Sequence, residues 1–431
     1  MRTVCMNGYN RTLFSKLFLK ILIWSGRRVS VRNISLVVLF IFIIVFSCKE
    51  RFSDGPFSPA AEFDEQESTM LCWNPKFRQI IIPLVTEISK DDHVTLFFNE
   101  NYHNKKQIER FLLQQNAEMS NIDLHPFKLE KDNIWIRDYG PSFLENEQGQ
   151  LAVVGFEYPH LEYFDYNNFS PQVSGKMKIP FFKSKLFSTG GGREINGKGT
   201  IILLEGYEEQ INPKLSKAEI EAEYREKYNQ TNFIWLKRGI PQDDFFGYGP
   251  ITEDIYGYGV NWHIDEFCRF ADAGTILLAE VDSSDMKRDK FYKIIHDRLE
   301  ENFRILSQAL DQNGNPFKII RVPQAPVIYI RGQLKGTDIL YTPVTSYLNF
   351  VLTNHSVVVP SYYKVGDPDF ISEKDEEVRQ VFQGVFKNRK IVSIDATDLN
   401  YKGGGLHCIT IHKPKTKKRL PGTLIKRKQV G

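Results

Sequence analysis

Four side chains in this sequence could act together on a flat cation. Cys408 ends the run Gly403-Gly404-Gly405-Leu406-His407-Cys408. Glycines remove side-chain bulk and admit positive φ, so a ligand or a backbone can approach a thiol placed there. His263 and Asp265 stand two apart in His263-Ile264-Asp265, after Gly257-Tyr258-Gly259. In an extended segment that spacing turns both to one face, and an imidazole beside a carboxylate can move protons near neutral pH. Asp138 falls in Trp135-Ile136-Arg137-Asp138-Tyr139-Gly140-Pro141, where Gly-Pro marks a loop and Trp135 could roof a cleft. Two carboxylates suit a planar cation with paired N–H donors, a guanidinium or amidinium. A cysteine suits attack on its central carbon.

Each feature also has a plainer reading on its own. The cysteine could be buried and structural, Arg137–Asp138 a surface ion pair, and the His-x-Asp a surface feature or part of a metal site. A further glycine cluster, Gly190-Gly191-Gly192-Arg193-Glu194 with Gly197-Lys198-Gly199, lacks a following helix and the Lys-Ser/Thr of a phosphate loop. Phosphate binding is therefore discounted there. The scattered histidines suggest no metal site, and no cofactor is expected.

The elements that would hold these residues alternate. Strands are expected at Thr69–Trp73, His93–Phe98 and Ile122–Pro126, with helices over Phe77–Lys90 and Lys105–Gln115. Two hairpin-like strands follow at Gln150–Tyr158 and Thr200–Leu204, then a charged helix over Ser216–Tyr228 and a strand at Phe233–Leu236. Asp272-Ala273-Gly274 reads as the turn of a hairpin between Phe267–Phe270 and Thr275–Val281. The longest helix is expected over Asp285–Asp311, and strands at Phe317–Val322, Val327–Ile330, Tyr347–Leu352 and Ser356–Val359. A helix over Glu373–Phe386 leads into a strand at Ile391–Ile394 and the triple glycine. Strand–helix–strand units thus recur at irregular spacing, the pattern of an α/β layer. No internal linker divides them, so one large domain is expected.

The chain has 431 residues, 42% hydrophobic and 25% charged, with a net charge of +3. That is ordinary globular composition, and nothing global suggests nucleic acid. The excess charge lies at the ends. The first 33 residues hold Arg2, Arg11, Lys16, Lys20, Arg27, Arg28 and Arg32 and no acid, and an apolar run, Ile34 to Phe46, follows. A basic segment, a short apolar stretch and a small residue form an export signal. Val45-Phe46-Ser47-Cys48 resembles a bacterial lipobox, which implies lipid on Cys48, anchorage at a membrane and a periplasmic or surface location. An uncleaved signal anchor is the other reading. Residues 49–58 read as a polar tether and 415–431 as a basic tail. Besides Cys5 and Cys48, only Cys72, Cys268 and Cys408 remain, too few and too scattered for a disulfide framework.

Six stretches in order resemble the agmatine deiminase family, which includes the Porphyromonas-type peptidylarginine deiminases. They are Pro59 to Gln66, Trp135 to Pro141, Gly190 to Thr200, Trp262 to Asp265, Ser346 to Phe350 with Val357 to Pro360, and Gly403 to Thr410. They span residues 59–414. The resemblance implies a pentein fold, five ββαβ units around a pseudo-fivefold axis. It also implies Cys408 as nucleophile, His263 as general acid and base, and Asp138 and Asp265 as the guanidinium-holding carboxylates. Trp135 and Arg137 would line or buttress the pocket, with Asn349 and Gly405 beside it. Where agmatine deiminases read Glu-Gly-Gly, this chain reads Thr189-Gly190-Gly191, and Arg193 stands close by. Loss of an acid and gain of Arg193 would suit a carboxylate- or peptide-bearing arginine; family frequency favours agmatine. An amidinotransferase or a non-enzymatic guanidine-binding lipoprotein are further readings. The substrate is a small guanidine or peptidyl-arginine, and a homo-oligomer is compatible with the resemblance.

Overall fold

The computed structural model describes residues 56–416 apart from Trp262. The export segment, Cys48, most of the tether and nearly all of the basic tail lie outside the described residues.

Strands form because β-branched and aromatic residues run together, and in several sheets a middle strand is covered on both faces. Thr200-Ile201-Ile202-Leu203-Leu204 and Val94-Thr95-Leu96-Phe97-Phe98-Asn99 are buried throughout. Strands buried on both faces read as unbroken apolar runs rather than alternations. Some helices begin where a side chain caps free N–H groups. Ser216 and Glu219 form a capping box for Lys217–Tyr228, and Asn104 caps Lys105–Gln114.

Five sheets share one topology. In each, a strand pairs antiparallel with the middle strand, which then pairs parallel with a third strand reached through a helix. The second blade runs Ser142–Glu145, Leu151–Glu157, helix Phe169–Met177 and Phe181–Phe187. The third runs Arg193–Ile195, Thr200–Leu204, helix Lys217–Tyr228 and Asn232–Leu236. The fourth runs Cys268–Asp272, Thr275–Glu280, helix Phe291–Gln308 and Lys318–Pro323. The fifth runs Val351–Leu352, Ser356–Ser361, helix Asp369–Val385 and Lys390–Asp395. The first blade is assembled from both ends of the domain. Gln66–Cys72, Val94–Asn99 and Ile122–Phe127 are parallel, and the antiparallel strand against Gln66–Cys72 is Thr410–Pro414. This is the expected pentein fold. A sixth sheet, Ile255–Gly257, Thr337–Thr342 and Ile330–Leu334, stands outside the five blades.

Neighbouring blades are stitched by buried polar groups. Arg269 donates to the carbonyls of Leu348 and Phe350 at 3.2 and 3.1 Å. Gln66 and Asn354 exchange two hydrogen bonds of 2.8 and 3.0 Å.

Five expected elements turn out differently. Gln150–Tyr158 and Thr200–Leu204 do not pair; they are the middle strands of different blades. The long helix is two, Ser283–Arg288 and Phe291–Gln308, because Asp289 is extended and its carboxylate accepts from Phe291 N at 2.8 Å. Of Tyr347–Leu352 only Val351–Leu352 is strand, since Ser346 Oγ accepts from Leu348 N at 3.0 Å and turns the chain. Val327–Ile330 is not a strand; the strand begins at Ile330.

Candidate active site

The segment entering the antiparallel strand of each blade carries one part of the site. Trp135 to Pro141 precedes Ser142–Glu145, and Thr189 to Gly192 precedes Arg193–Ile195. His263 to Phe267 precedes Cys268–Asp272, Ser346 to Phe350 precedes Val351–Leu352, and Gly403 to Ile409 precedes Thr410–Pro414. Five equivalent positions of the repeat thus converge, although their residues lie far apart in the chain.

Trp135, Asp138, His263, Gly403 and Cys408 line one cavity of about 200 Å³, with Tyr158, His160 and Tyr163 also on its wall. Cys408 and His263 are buried. Asp138 Oδ1 accepts from Gly191 N at 3.2 Å. His263 Nε2 and Thr189 Oγ1 are 3.1 Å apart, and Thr189 is hydrogen-bonded to Tyr207 at 2.6 Å. Burial works against a charged imidazole, but Asp138, Asp265 and Asp243 outweigh it and raise the His263 pKa. The thiol of Cys408 is pushed well above its ordinary value by burial and then by Asp265, Glu266 and Asp138, against a small opposing contribution from Gly405 N–H. At rest this sulfur is a protonated thiol in an acidic field.

His263 and Asp265 do not share an extended segment. His263 is extended, but Ile264–Glu266 is a 3-10 turn. That turn places Asp265 and Glu266 beside Cys408 Sγ, at 3.9 Å from Asp265 Oδ2 and 3.6 Å from Glu266 Oε1. Asp265 Oδ2 is also hydrogen-bonded to His407 Nδ1 at 2.7 Å. Burial would raise the Asp265 pKa, but His407, His263 and Arg269 hold it below the ordinary carboxylate value.

The glycines act by close approach. Gly403 adopts φ 90°. A methyl at Gly404 would come within 2.7 Å of the Trp135 ring and 3.2 Å of Cys408 Sγ, and one at Gly191 within 2.7 Å of His263 Nδ1. Gly405 packs on the Asn349 carboxamide. Asn349 itself holds the nucleophile turn. Its Oδ1 accepts from His407 N at 2.8 Å and Cys408 N at 3.4 Å, and its Nδ2 lies 3.3 Å from Cys408 Sγ.

One arginine lies elsewhere than expected. Arg193 does not reach the Cys408 cavity. It is buried, donates to Ser188 Oγ, Thr189 O and Ser142 Oγ at 2.6, 2.8 and 2.7 Å, and its guanidinium sits 4.3 Å over Phe156. These partners consume its donors, so the substrate argument built on it falls. Arg137 buttresses from behind, paired with Glu62, which also holds Arg269 at 2.6 Å and His407 at 2.9 Å. Arg137 and Arg193 line a separate cavity of about 90 Å³ with Glu62, Glu194 and Arg269.

The sequence reading missed Glu266, Asp243, Glu62 and His407. Glu266 and His407 are chain neighbours of Asp265 and Cys408, a signal that was present. Glu62 lies inside the first matching stretch. Asp243 had no signal: it accepts from His263 N at 2.5 Å and Val260 N at 2.8 Å across a long loop.

The pattern of Porphyromonas-type peptidyl-arginine deiminases matches residues 59–414, the whole of the five-bladed ring. The chain belongs to that family. The chain is similar to an agmatine deiminase of Pseudomonas aeruginosa, 26% identical over 324 residues that cover 70% of this chain and 80% of the relative. A Streptococcus mutans protein, provisionally named an agmatine deiminase, is 26% identical over 84% of this chain and 97% of its own length. The solved agmatine deiminase of Enterococcus faecalis superposes with a TM-score of 0.67 at 20% identity, covering 84% of this chain and 98% of that one. That likeness speaks for the fold of this deiminase family member.

Proposed function

We propose that this chain hydrolyses a guanidinium group to a ureido group and ammonia, with agmatine as substrate and N-carbamoylputrescine as product. The observation that carries the reading is the meeting of Cys408, His263 and Asp138 on one cavity, with Asp265 directly behind the sulfur. The relatives named as agmatine deiminases support the substrate.

The chemistry follows from the charges. A guanidinium entering beside Asp138 and Asp265 is oriented by paired hydrogen bonds. Its positive charge offsets the acidic field that keeps the Cys408 thiol protonated, so the thiolate forms when substrate is bound. The thiolate attacks the central carbon and forms a C–S bond. His263, held cationic by its carboxylates, donates a proton to one nitrogen, and ammonia leaves as the C–N bond breaks. An S-alkylthiouronium remains on Cys408. Water, giving its proton to His263, adds to the carbon; the C–S bond breaks and the ureido product departs. No cofactor enters these steps.

Among the described residues, no Arg or Lys side chain lines the cavity. An amine-tailed guanidine therefore fits better than free arginine, whose carboxylate would find no Arg or Lys to pair with on that wall. A peptidyl-arginine reading has one observation in its favour: Tyr258 and Tyr401 are exposed near Gly403 and could receive neighbouring residues of a peptide.

The test is ammonia release and product mass with agmatine, L-arginine and an arginine-containing peptide. Agmatine should yield the ureido product with wild-type protein and none with Cys408→Ala. If none of the three releases ammonia, the reading fails. Export and lipidation at Cys48 are a separate proposal resting on the leader sequence. Metabolic labelling with a tagged fatty acid should mark the wild-type chain and not Cys48→Ala; equal labelling of both would rule it out. Among the described residues no helix is long and apolar enough to cross a membrane.

A further inference from the structure

Behind the Cys408 sulfur, acidic groups gather more closely than a single guanidinium explains. Cys408 Sγ lies 3.6 Å from Glu266 Oε1 and 3.9 Å from Asp265 Oδ2. One ligand atom from each of the three residues falls within 4.8 Å of the others. Asp265 is 0% and Glu266 2% exposed, and among the described residues Asp265 Oδ1 and Glu266 Oε2 have no hydrogen-bond partner. A buried acceptor left unpaired costs about 1–3 kcal/mol. Each carboxyl thus has one oxygen near the thiol and a second without a partner, an electron-rich corner that awaits a positive guest.

The geometry points to a guest other than substrate: we propose that Cys408, Asp265 and Glu266 bind one thiophilic divalent cation of the zinc class, and that its binding shuts the enzyme off. With Zn–S near 2.3 Å and Zn–O near 2.0–2.2 Å, a tetrahedral site has an S···O edge of about 3.6 Å. The observed separations already match that edge to within a few tenths of an ångström. The thiolate selects soft and borderline metals over magnesium or calcium. Three protein ligands leave a fourth position for water from the adjoining cavity.

The ligands are held in place from outside. His407 Nδ1 bonds Asp265 Oδ2 at 2.7 Å and leaves Oδ1 free, while Asn349 Nδ2 donates to Glu266 Oε1 at 3.0 Å. Such outer partners orient metal ligands. The incoming cation displaces to solvent the proton of the Cys408 thiol and any proton held on the two carboxyls, so that all three bind as anions. The loaded site carries one net negative charge. Metal and substrate exclude each other because both need the same sulfur. Inhibition rests on the deiminase reading above; binding does not.

The experiment starts from metal-free, full-length protein titrated with Co(II). A thiolate-to-cobalt charge-transfer band should rise to saturation at about one metal per chain, and Zn(II) should displace it. Cys408→Ser should abolish the band. Glu266→Gln, shown folded by its thermal unfolding curve, should weaken binding by more than the roughly 10–100-fold caused by losing an outer partner. Cys72→Ala and Cys268→Ala should keep the band. A band that survives in Cys408→Ser, a Glu266→Gln variant that binds as tightly as wild type, or no band at all would overturn the site. Zinc should also stop ammonia release from agmatine and a chelator restore it; saturation with undiminished turnover would overturn the inhibition. If the metal-free protein releases no ammonia, the deiminase reading fails, and the cobalt spectrum still decides the metal site.

Discussion

Asp243 supports the imidazole of His263 without touching the substrate cavity. Its two oxygens accept from His263 N and Val260 N, and its charge is one of three that raise the His263 pKa. Burial lifts its own pKa to about 6, against the pull of His263 and the two backbone donors. Asp243→Asn would put an amide N–H where one backbone N–H now donates. It should cost about 1.5–3 kcal/mol, the worth of a hydrogen bond to a charged group, read from denaturant midpoints. It should also move the pH profile. His263 must be protonated to expel ammonia, so activity is lost as pH rises through its pKa. Removing the Asp243 charge lowers that pKa, and the alkaline limb of kcat should shift to lower pH. An unchanged limb would confine Asp243 to a structural role. The four residues that could be picked out in the sequence share a trait: each sits beside a glycine, a proline or another ionisable residue in a short window. Asp243 has a neighbourhood of the same kind, with Pro241 and Asp244, but nothing in it points to His263. Its partners are twenty residues away and exist only once the loop has folded.

At the level of elements, the same locality explains what was legible. Apolar runs and turn residues give most strands to within a few residues, because their burial repeats over a stretch longer than the error. The short Arg193–Ile195 strand carries no such run. Without it, the side on which Arg193 emerges was unknowable, and the residue was assigned to substrate. Its fork of hydrogen bonds instead joins the second and third blades through Ser142 and Thr189. Arg193→Lys keeps the charge and loses the fork. It should lower stability by about 1.5–3 kcal/mol and leave the ratio of kcat/KM values for agmatine and an arginine peptide unchanged. A changed ratio would return Arg193 to the substrate. The HxD motif carried a similar error: its two residues do meet the site, but through a 3-10 turn rather than a strand, and that turn is what brings Glu266 to the sulfur.

For the whole ring, Glu62 is the hub. It precedes the first blade, yet it contacts Arg137 of the second, Arg269 of the fourth and His407 beside the nucleophile. Burial alone would raise its pKa, but Arg137, His407, His412 and Arg269 hold it well below the ordinary carboxylate value. Its contribution to stability is complete above the unfolded glutamate value of about 4.3 and is lost as pH falls through the lower, folded value. Glu62→Gln removes the carboxylate paired with Arg137 and leaves Arg269 with Glu194 alone, and it should cost about 3–5 kcal/mol at neutral pH. The wild-type advantage over it should shrink in acid, measured as unfolding midpoints at neutral and acidic pH. A pH-independent difference would assign the cost to shape rather than charge. The fivefold count was not readable from repeats, because the blades share topology and not residues, and the first is split between the two ends of the domain.

That split has a temporal consequence. Gln66–Cys72 is among the earliest strands to leave the ribosome, and its antiparallel partner, Thr410–Pro414, is the last strand of the ring. Cys408 arrives with it. Until translation has passed that point, one edge of the first blade is open and the acids wait without a sulfur. Closing the circle and arming the enzyme are then a single event, so a nascent chain is chemically silent while it folds.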